Sequence, residues 1–297
     1  MQTAPMGLTI PEATHYRAAV NGADLHYVLA GDTGSPVLLV HGFPESWWAF
    51  HKLIPLLARH HRVIAVDLRG FGDSSAADAQ DNSETTANDL HALIEHLGFG
   101  PVHLVVQDIS GATGFRLATS HAEDLLSFTG VETGLAGFGL ELLADVAKGG
   151  AWYIGVLATP GVADAFFNNR EKTLIGEFIM PFATAVPDAV KAEDVAELSR
   201  GYARKGGWTG ARALYGSMLH EGDAIQEIAR KYPLTLPTMA VDRGGSDFTL
   251  RGLGAVHHGL VTGRNVNGTG HYIAMEAPGK LADTLLAFFA EVGPERS

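Results

Sequence analysis

Short apolar runs recur along the chain, and their length and spacing predict a buried β-sheet. We expect eight strands, at residues 15–20, 24–30, 36–41, 62–66, 102–106, 125–131, 236–241 and 260–266. Several of these runs are apolar throughout, a pattern typical of strands that are covered on both faces. The first two strands are predicted to form an antiparallel hairpin that turns at Asn21-Gly22.

Segments with helical periodicity lie between the predicted strands, near residues 47–59, 84–97, 111–121 and 279–292. Strands and helices that alternate in this way predict an α/β fold with a mostly parallel eight-stranded sheet flanked by helices. Between about 135 and 232, only helix-like segments are found, at 138–148, 162–182, 188–205 and 209–230. The simplest interpretation is an α/β core formed by residues 1–134 and 233–297, with residues 135–232 inserted as a helical cap.

The composition excludes several kinds of site and partner. The 297 residues, 46% of them hydrophobic, are enough for one large domain with a sizeable core. The chain has no cysteine, which excludes a disulfide, a thiolate nucleophile and a Cys-ligated metal, and we expect neither a cofactor nor a metal ion. The net charge of −12 disfavours a nucleic-acid partner. Because neither a secretory signal nor a run of about 18 apolar residues is found, we expect a cytoplasmic protein without a membrane partner.

A candidate nucleophile lies where the fifth predicted strand turns into a helix, in Val106-Gln107-Asp108-Ile109-Ser110-Gly111. Small residues around the turn allow the sharp elbow that holds a nucleophile above the sheet, G-x-S-x-G in its serine form. The residue at the apex here is Asp108, and a carboxylate is already ionised at pH 7. It can attack an electrophilic sp³ carbon and form an ester without a base to activate it.

Backbone donors for an oxyanion are expected beside this elbow. The third strand is followed directly by His41-Gly42-Phe43-Pro44-Glu45-Ser46-Trp47, where Gly and Pro force the chain to turn. The turn can direct the Phe43 N–H into the cleft, and the Ile109 N–H follows the nucleophile. Two such donors form an oxyanion hole.

A second loop, Asp67-Leu68-Arg69-Gly70-Phe71-Gly72-Asp73-Ser74, follows the fourth strand. The third glycine of a dinucleotide fingerprint is missing from it. We therefore interpret this loop as structural, with Asp67 and Arg69 holding its backbone.

A candidate base and its acid lie at the ends of later strands. His271 is in the glycine-rich segment between the last strand and the last helix, from which it can reach Asp108. Glu132 directly follows the strand at 125–131 and is favoured as the acid that orients His271. The alternative acid is Asp247, in the loop after the next strand. Open α/β sheets place their sites at the carboxyl ends of strands, where all of these residues fall.

These motifs resemble the α/β-hydrolase superfamily, and within it the branch of epoxide hydrolases and of haloalkane or haloacid dehalogenases. HGFPESW, DxRGxGxS, the aspartate elbow and GxGHxxxxExP are features of that branch, and the similarity covers nearly the whole chain. One departure is Gln107, because the residue before the nucleophile is commonly His. The resemblance is compatible with a homodimer.

The residues around the nucleophile favour epoxide hydrolases over dehalogenases. Ile109 stands where haloalkane dehalogenases typically have a halide-binding Trp, and Ile109 and Ala112 stand where fluoroacetate-type dehalogenases have two Arg. Epoxide hydrolases use two cap tyrosines as donors to the epoxide oxygen, and the resemblance implies Tyr153 and Tyr215 for this role. Glu132 directly after its strand matches the subgroup that is similar to the secreted bacterial epoxide hydrolase Cif, in which the position of Tyr153 is His.

The resulting hypothesis is hydrolysis of a small-molecule epoxide to a vicinal diol, with water as co-substrate. Asp108 forms a hydroxyalkyl ester, which water activated by His271 then hydrolyses. His41, Trp47 and Trp152 are expected to line the substrate pocket. Two alternatives stay open: dehalogenation by the same nucleophile, with Trp47, Trp152 or Trp208 as halide donor, and a non-catalytic hydrolase-fold protein that binds a small ligand.

Overall fold

An eight-stranded sheet forms the centre of the protein. The computed structural model describes residues 1–293. The strands are β1 (Thr14–Val20), β2 (Ala23–Ala30), β3 (Pro36–Val40), β4 (Arg62–Val66), β5 (Val102–Gln107), β6 (Leu125–Val131), β7 (Thr238–Arg243) and β8 (Thr262–Val266). Their order is β1-β2-β4-β3-β5-β6-β7-β8, with β2 antiparallel to both of its neighbours and every pair from β4 to β8 parallel. The predicted α/β fold with a mostly parallel eight-stranded sheet is confirmed.

Helices cover both faces of this sheet. The helices of the described residues are α1 (Ile54–Leu57), α2 (Ser83–Leu97), α3 (Gly111–Ser120), α4 (Tyr153–Ala158), α5 (Val162–Phe167), α6 (Glu171–Thr173), α7 (Met180–Ala183), α8 (Ala192–Tyr202), α9 (Thr209–Met218), α10 (Gly222–Lys231), α11 (Phe248–Gly254), α12 (Ile273–Glu276) and α13 (Pro278–Val292), of which α4 to α9 belong to the inserted segment. Every residue of β3, β5 and β6 is buried. The unbroken apolar character of these strands therefore follows from burial on two sides.

Two neighbouring residues of β6 show which helices lie on which face. The ring of Phe128 approaches α3 so closely that a Cβ on Gly114 would lie 2.7 Å from it. The hydroxyl of Ser127 instead hydrogen-bonds His103 Nδ1 (2.8 Å), and the His103 ring stacks on Phe289 of α13. Because successive strand residues point to opposite faces, α3 and α13 cover opposite sides of the sheet.

The segment between β6 and β7 is helical, and the described residues form no strand between Val131 and Thr238. Its helices are shorter than the periodicity predicted. The expected helix near 162–182 divides into α5, α6, a π-helical turn (Leu174–Ile179) and α7, and the one near 209–230 divides into α9 and α10.

The two ends of this segment lie against each other, where the backbones of Gly137 and Gly222 are in contact. Gly137 has φ +80°, and a Cβ at this position would lie 2.5 Å from the carbonyl oxygen of Gly222. The Gln226 amide, one turn into α10, donates to the Gly137 carbonyl (2.6 Å). Residues 138–221 are therefore closed at their base, and α10 follows as the crossover to β7.

The loop after β4 is held by its own charged residues. The Asp67 carboxylate accepts from the backbone N–H groups of Trp47 (2.8 Å) and Asp73 (2.9 Å). Arg69 Nε donates to Asp89 of α2 (2.6 Å). These contacts agree with a structural interpretation of the loop. In the described part of the chain, no helix has both the length and the apolar character that a membrane span requires.

Candidate active site

Asp108 lies at the turn between β5 and α3, at the carboxyl edge of the sheet. Its φ is +53°, a value that is uncommon for a residue other than glycine. Two glycines permit this turn: a Cβ on Gly42 would lie 2.3 Å from Asp108 Cβ, and one on Gly111 would lie 2.5 Å from the Gly134 carbonyl oxygen. The Thr133 hydroxyl donates to the Asp108 carbonyl oxygen. The backbone of the elbow is therefore fixed from both neighbouring loops.

His271 lies between Asp108 and Glu132. His271 Nε2 is 3.8 Å from Asp108 Oδ1, and His271 Nδ1 donates to Glu132 Oε2 at 3.4 Å. Glu132 Oε1 accepts from the Arg243 backbone N–H (2.7 Å), which fixes the carboxylate at the end of β6. The three side chains are mostly buried and form a continuous line from the elbow to the end of β7.

The loop that carries His271 is shaped by Glu276, the acid of the GxGHxxxxExP motif. Its Oε2 accepts from the backbone N–H groups of Gly270 (2.8 Å) and Ala185 (2.8 Å). The His271 N–H in turn donates to the Ala183 carbonyl oxygen (2.8 Å). Glu276 thus ties the histidine loop to the chain that follows α7.

Burial lowers the pKa of His271, but the adjacent carboxylates of Asp108 and Glu132 outweigh it and raise that pKa to about 10. His271 is consequently an imidazolium at neutral pH. Loss of the charge on Asp108 removes one of the two stabilising partners and lowers the pKa of His271. The site can therefore convert His271 from an acid into a base when Asp108 is esterified.

Tyr153 and Tyr215 are buried opposite Asp108. Their ring centroids are 6.0 Å apart, and both rings pack on Phe43. Burial, followed by the negative charge of Asp108, raises the pKa of both phenols. They therefore stay protonated and can donate hydrogen bonds over the whole physiological range.

One cavity of about 260 Å³ connects these groups. Among the residues that line it are Asp108, Ile109, Glu132, Tyr153, Tyr215, Arg243 and His271. Most of the remaining wall is apolar, including Leu140, Leu143, Ile154, Phe182, Met218 and Phe248. The volume suits a small apolar molecule whose reactive end lies between the carboxylate and the two phenols.

Comparison with known proteins identifies the family of this chain. Residues 35–195 match the family model described as the alpha/beta hydrolase fold. The chain is 31% identical to the soluble epoxide hydrolase of Corynebacterium sp. (strain C12), over 94% of this chain and 98% of that enzyme. This protein belongs to the α/β-hydrolase family, in the branch that contains epoxide hydrolases.

Two further relatives place the hydrolase within its family. The ligand-free structure of the epoxide hydrolase CorEH superposes with a TM-score of 0.82 and 28% identity, over 95% of this chain and 100% of that one. The fluoroacetate dehalogenase of Burkholderia sp. is 38% identical over 104 residues, about a third of either chain (33% and 34%). The match to the epoxide hydrolase of Corynebacterium therefore extends over nearly three times as much of the hydrolase.

The alternative acid Asp247 and the neighbouring Asp242 both have partners other than His271 in the hydrolase. Asp247 is exposed (64%) and pairs with Arg251, one turn further along α11 (3.0 Å). Asp242 is buried, where it accepts from the Thr249 backbone N–H (2.8 Å). Of the three carboxylates, Glu132 lies against His271, and this geometry favours it as the orienting acid.

The proposed oxyanion donors belong to the two loops that meet at the nucleophile. Phe43 follows Gly42, which packs against Asp108 Cβ, and Ile109 follows Asp108 directly. Ser110 Oγ donates to the His41 carbonyl oxygen (2.5 Å), so the two loops are held together. The role of their N–H groups stays a prediction.

His41, Trp47 and Trp152, which we expected to line the pocket, lie outside the cavity wall. His41 is fully buried, where its Nε2 accepts from the Leu68 backbone N–H (3.2 Å). The Trp47 ring is buried beside His15. Trp152 packs edge-on behind Tyr153. Each of these side chains packs against other parts of the protein and does not face the cavity. The sequence positions alone did not indicate this orientation.

Two residues near the cavity were not selected from the sequence. Glu45 is buried beside the elbow, where it accepts from Gly42 N (3.0 Å) and from Gln107 Nε2 (3.1 Å). Burial raises the pKa of Glu45 to about 8. Arg243 lines the cavity from the end of β7. Its position at the carboxyl end of a strand was the available signal, and a lone arginine there is too common to be decisive.

Proposed function

We propose that this protein is an epoxide hydrolase that opens an epoxide to a vicinal diol through an ester on Asp108. The observation that carries the proposal is the single cavity lined by Asp108, His271, Tyr153 and Tyr215. A nucleophile and two phenol donors thus flank the same small volume. In this proposal residues 135–232, which contain both tyrosines, act as the cap. Homodimer formation and a cytoplasmic location stay predictions.

In the first step, a carboxylate oxygen of Asp108 attacks one epoxide carbon while the C–O bond on the far side breaks. Asp108 lines the cavity, and its Oδ2 has no hydrogen-bond partner in the described part of the chain. Tyr153 and Tyr215 donate to the ring oxygen as negative charge develops on it. Removing one donor from such an arrangement costs about 100- to 1,000-fold in rate by analogy with oxyanion holes.

In the second step, the ester is hydrolysed. Esterification removes the negative charge of Asp108, which lowers the pKa of His271 and leaves Glu132 as its acidic partner. His271 gives up its proton, which restores, through solvent, the phenol proton that the opened ring oxygen has taken to become a hydroxyl. The neutral imidazole then takes a proton from water, and the resulting hydroxide attacks the ester carbonyl. The N–H groups of Phe43 and Ile109 stabilise the tetrahedral oxyanion. When the intermediate collapses, the C–O bond to the alkyl group breaks and the proton of the added hydroxyl passes to the leaving oxygen, which releases the diol and restores the carboxylate.

Dehalogenation is a second candidate, because the fluoroacetate dehalogenase of Burkholderia sp. matches part of the chain. The side chains next to the nucleophile do not favour it. Ile109 and Ala112 offer no side-chain donor, and the nearby Arg116 donates to Ser83 (2.7 Å) on the outer side of α3. The positions at which the dehalogenases hold a halide or a substrate carboxylate therefore offer no side-chain donor here.

Intact-protein mass spectrometry of His271→Gln tests the proposal. Loss of the base is expected to stall ester hydrolysis, so a panel of epoxides should give an adduct with the mass of the whole epoxide. The adduct should be absent from the Asp108→Ala, His271→Gln double variant. An adduct formed with haloalkanes alone, lacking the halogen, would assign the protein as a dehalogenase. Ligand binding without any adduct would favour a non-catalytic binding protein.

A further inference from the structure

The cavity wall contains a cation that the proposed mechanism does not use. Among the described residues that line the cavity, the charged groups are Asp108, Glu132, Arg243 and His271. Asp108, Glu132 and His271 all have a role in the proposed mechanism. Arg243 is the last residue of β7, and about half of its side chain is exposed (49%).

The guanidinium of Arg243 keeps most of its hydrogen-bonding capacity. Its Nε lies 3.9 Å from Glu132 Oε2, which is longer than a hydrogen bond. Within residues 1–293, no protein acceptor receives a hydrogen bond from this guanidinium, although the backbone of Arg243 is fixed by Glu132 Oε1 and by Asn265 Nδ2. A guanidinium carries five N–H donors in a planar fork. A ligand can therefore occupy donors that the protein leaves open.

We propose that Arg243 binds a carboxylate of the substrate, so that the preferred substrates are epoxides of carboxylic acids. This inference rests on the proposed epoxide hydrolase function. The planar fork of arginine matches a carboxylate through two parallel hydrogen bonds. Because the net charge is −12, the protein offers an anion no general attraction, and a local cation is required to hold it.

The geometry also limits the length of such a substrate. Glu132 and His271 lie between the guanidinium and the nucleophile, in successive contacts of 3.9, 3.4 and 3.8 Å. The carboxylate and the epoxide ring must therefore be joined by a spacer of several carbons. Leu140, Leu143 and Phe182 offer an apolar wall for that spacer.

A competing role for Arg243 is to position Glu132 rather than to bind substrate. The two roles differ in what they affect. A carboxylate anchor changes the KM of acidic epoxides and leaves neutral epoxides unchanged. A positioning residue changes kcat and its pH profile for both kinds of substrate.

The kinetic test compares ω-epoxydecanoate with its methyl ester in the wild type, Arg243→Gln, Arg243→Lys and Arg251→Gln. The wild type is expected to prefer the acid. Arg243→Gln should raise the KM for the acid about 10- to 100-fold, since hydrogen bonds to charged groups are the stronger ones, and should leave the ester unchanged. Arg243→Lys should retain part of the preference. Arg251→Gln, an exposed arginine on the neighbouring α11, is the matched control and should change neither substrate.

A wild type that prefers the ester, or an equal loss of kcat on both substrates in Arg243→Gln, would overturn the inference. A binding measurement separates it from the proposed function. Decanoate should bind Asp108→Asn about 10- to 100-fold more tightly than Asp108→Asn, Arg243→Gln by calorimetry. Decanoate binding that depends on Arg243, without turnover or adducts from epoxides, would reject the epoxide function and support the carboxylate site. Equal binding by the two variants would reject the site itself.

Discussion

The residues of the elbow show how backbone and side chain can be constrained differently at one position. The backbone of Asp108 is fixed at a positive φ by the close approach of Gly42 and by the Thr133 hydroxyl. Strain of this kind is found mainly where the surrounding structure enforces it, and it concentrates at functional sites. The carboxylate oxygen Oδ2, in contrast, makes no hydrogen bond within the described residues. Rigid backbone and unshared lone pairs are the combination that a nucleophile requires.

Glu132 is buried against His271, whereas Asp247 is exposed, so substitution of the two acids should have different effects. Glu132→Gln is expected to lower kcat about 100-fold or more, because the neutral amide no longer stabilises the His271 imidazolium. Asp247→Asn should stay within about twofold of the wild type, as most exposed substitutions do. Steady-state kinetics on one epoxide measures both variants.

The same pair also indicates which step is affected. In Glu132→Gln, the Asp108 ester should accumulate and be visible by mass spectrometry. Full turnover in Glu132→Gln, or a large loss in Asp247→Asn, would transfer the orienting role to Asp247.

At the scale of elements, the sequence was sufficient for the strands and the fold class, but not for details that depend on tertiary contacts. β3 and β5 are buried on both faces, so their apolar runs carried the signal directly. The position of β4 between β2 and β3 is a property of chain topology, which local periodicity does not encode. The choice of Glu132 over Asp247 likewise depends on where two loops meet in space.

Helices of the inserted segment were the least predictable elements. The π-helical turn at Leu174–Ile179 shifts the hydrogen-bond pattern within a continuous helical run. Periodicity alone indicates one helix for such a run. Trp47 shows the same limit for a side chain, since an aromatic residue next to a catalytic motif can equally belong to the core.

Gly111 in the elbow is tightly surrounded, whereas Gly155 in α4 is not, so an added methyl group should have opposite effects at the two positions. Gly111→Ala is expected to destabilise the protein by about 1–3 kcal/mol, because its Cβ would press on the Thr133 side chain and on the Gly134 backbone. It should also reduce activity by displacing the elbow. Gly155→Ala, in α4, adds a Cβ where nothing lies within 4 Å and should stabilise by about 0.5–1 kcal/mol.

Chemical denaturation of the two alanine variants measures these changes. If Gly111→Ala proved as stable and as active as the wild type, the tight contact between the elbow and the loop after β6 would not be required.

At the scale of the whole molecule, the contacts of His271 with Asp108 and Glu132 make the stability of the protein depend on pH. The pKa of His271 is about 10 in the folded protein, whereas the ordinary value for a histidine is 6.5. Because the folded state binds this proton more tightly, the resulting stabilisation is fully present below pH 6.5 and is lost as the pH rises to about 10. The difference in Tm between the wild type and His271→Gln should therefore shrink over this interval, with the wild type losing its advantage.

Thermal melts of both proteins across that pH range provide the measurement. His258→Gln, which removes an exposed imidazole outside the site, is the matched control for the loss of a histidine. A Tm difference between the wild type and His271→Gln that stays constant with pH would mean that His271 is not charged in the folded enzyme.

The contact between Gly137 and Gly222 has a consequence for how this molecule can diversify. Because residues 138–221 begin and end at touching backbones, the chain enters and leaves this module at one place, and the strands on either side need not adjust to its length. Tyr153 and Tyr215 lie inside the module, whereas Asp108, Glu132 and His271 lie outside it. A lineage can therefore lengthen the part of the chain that carries the two phenols while it keeps Asp108, Glu132 and His271, as long as the contacts of Ala183 and Ala185 with the His271 loop are retained.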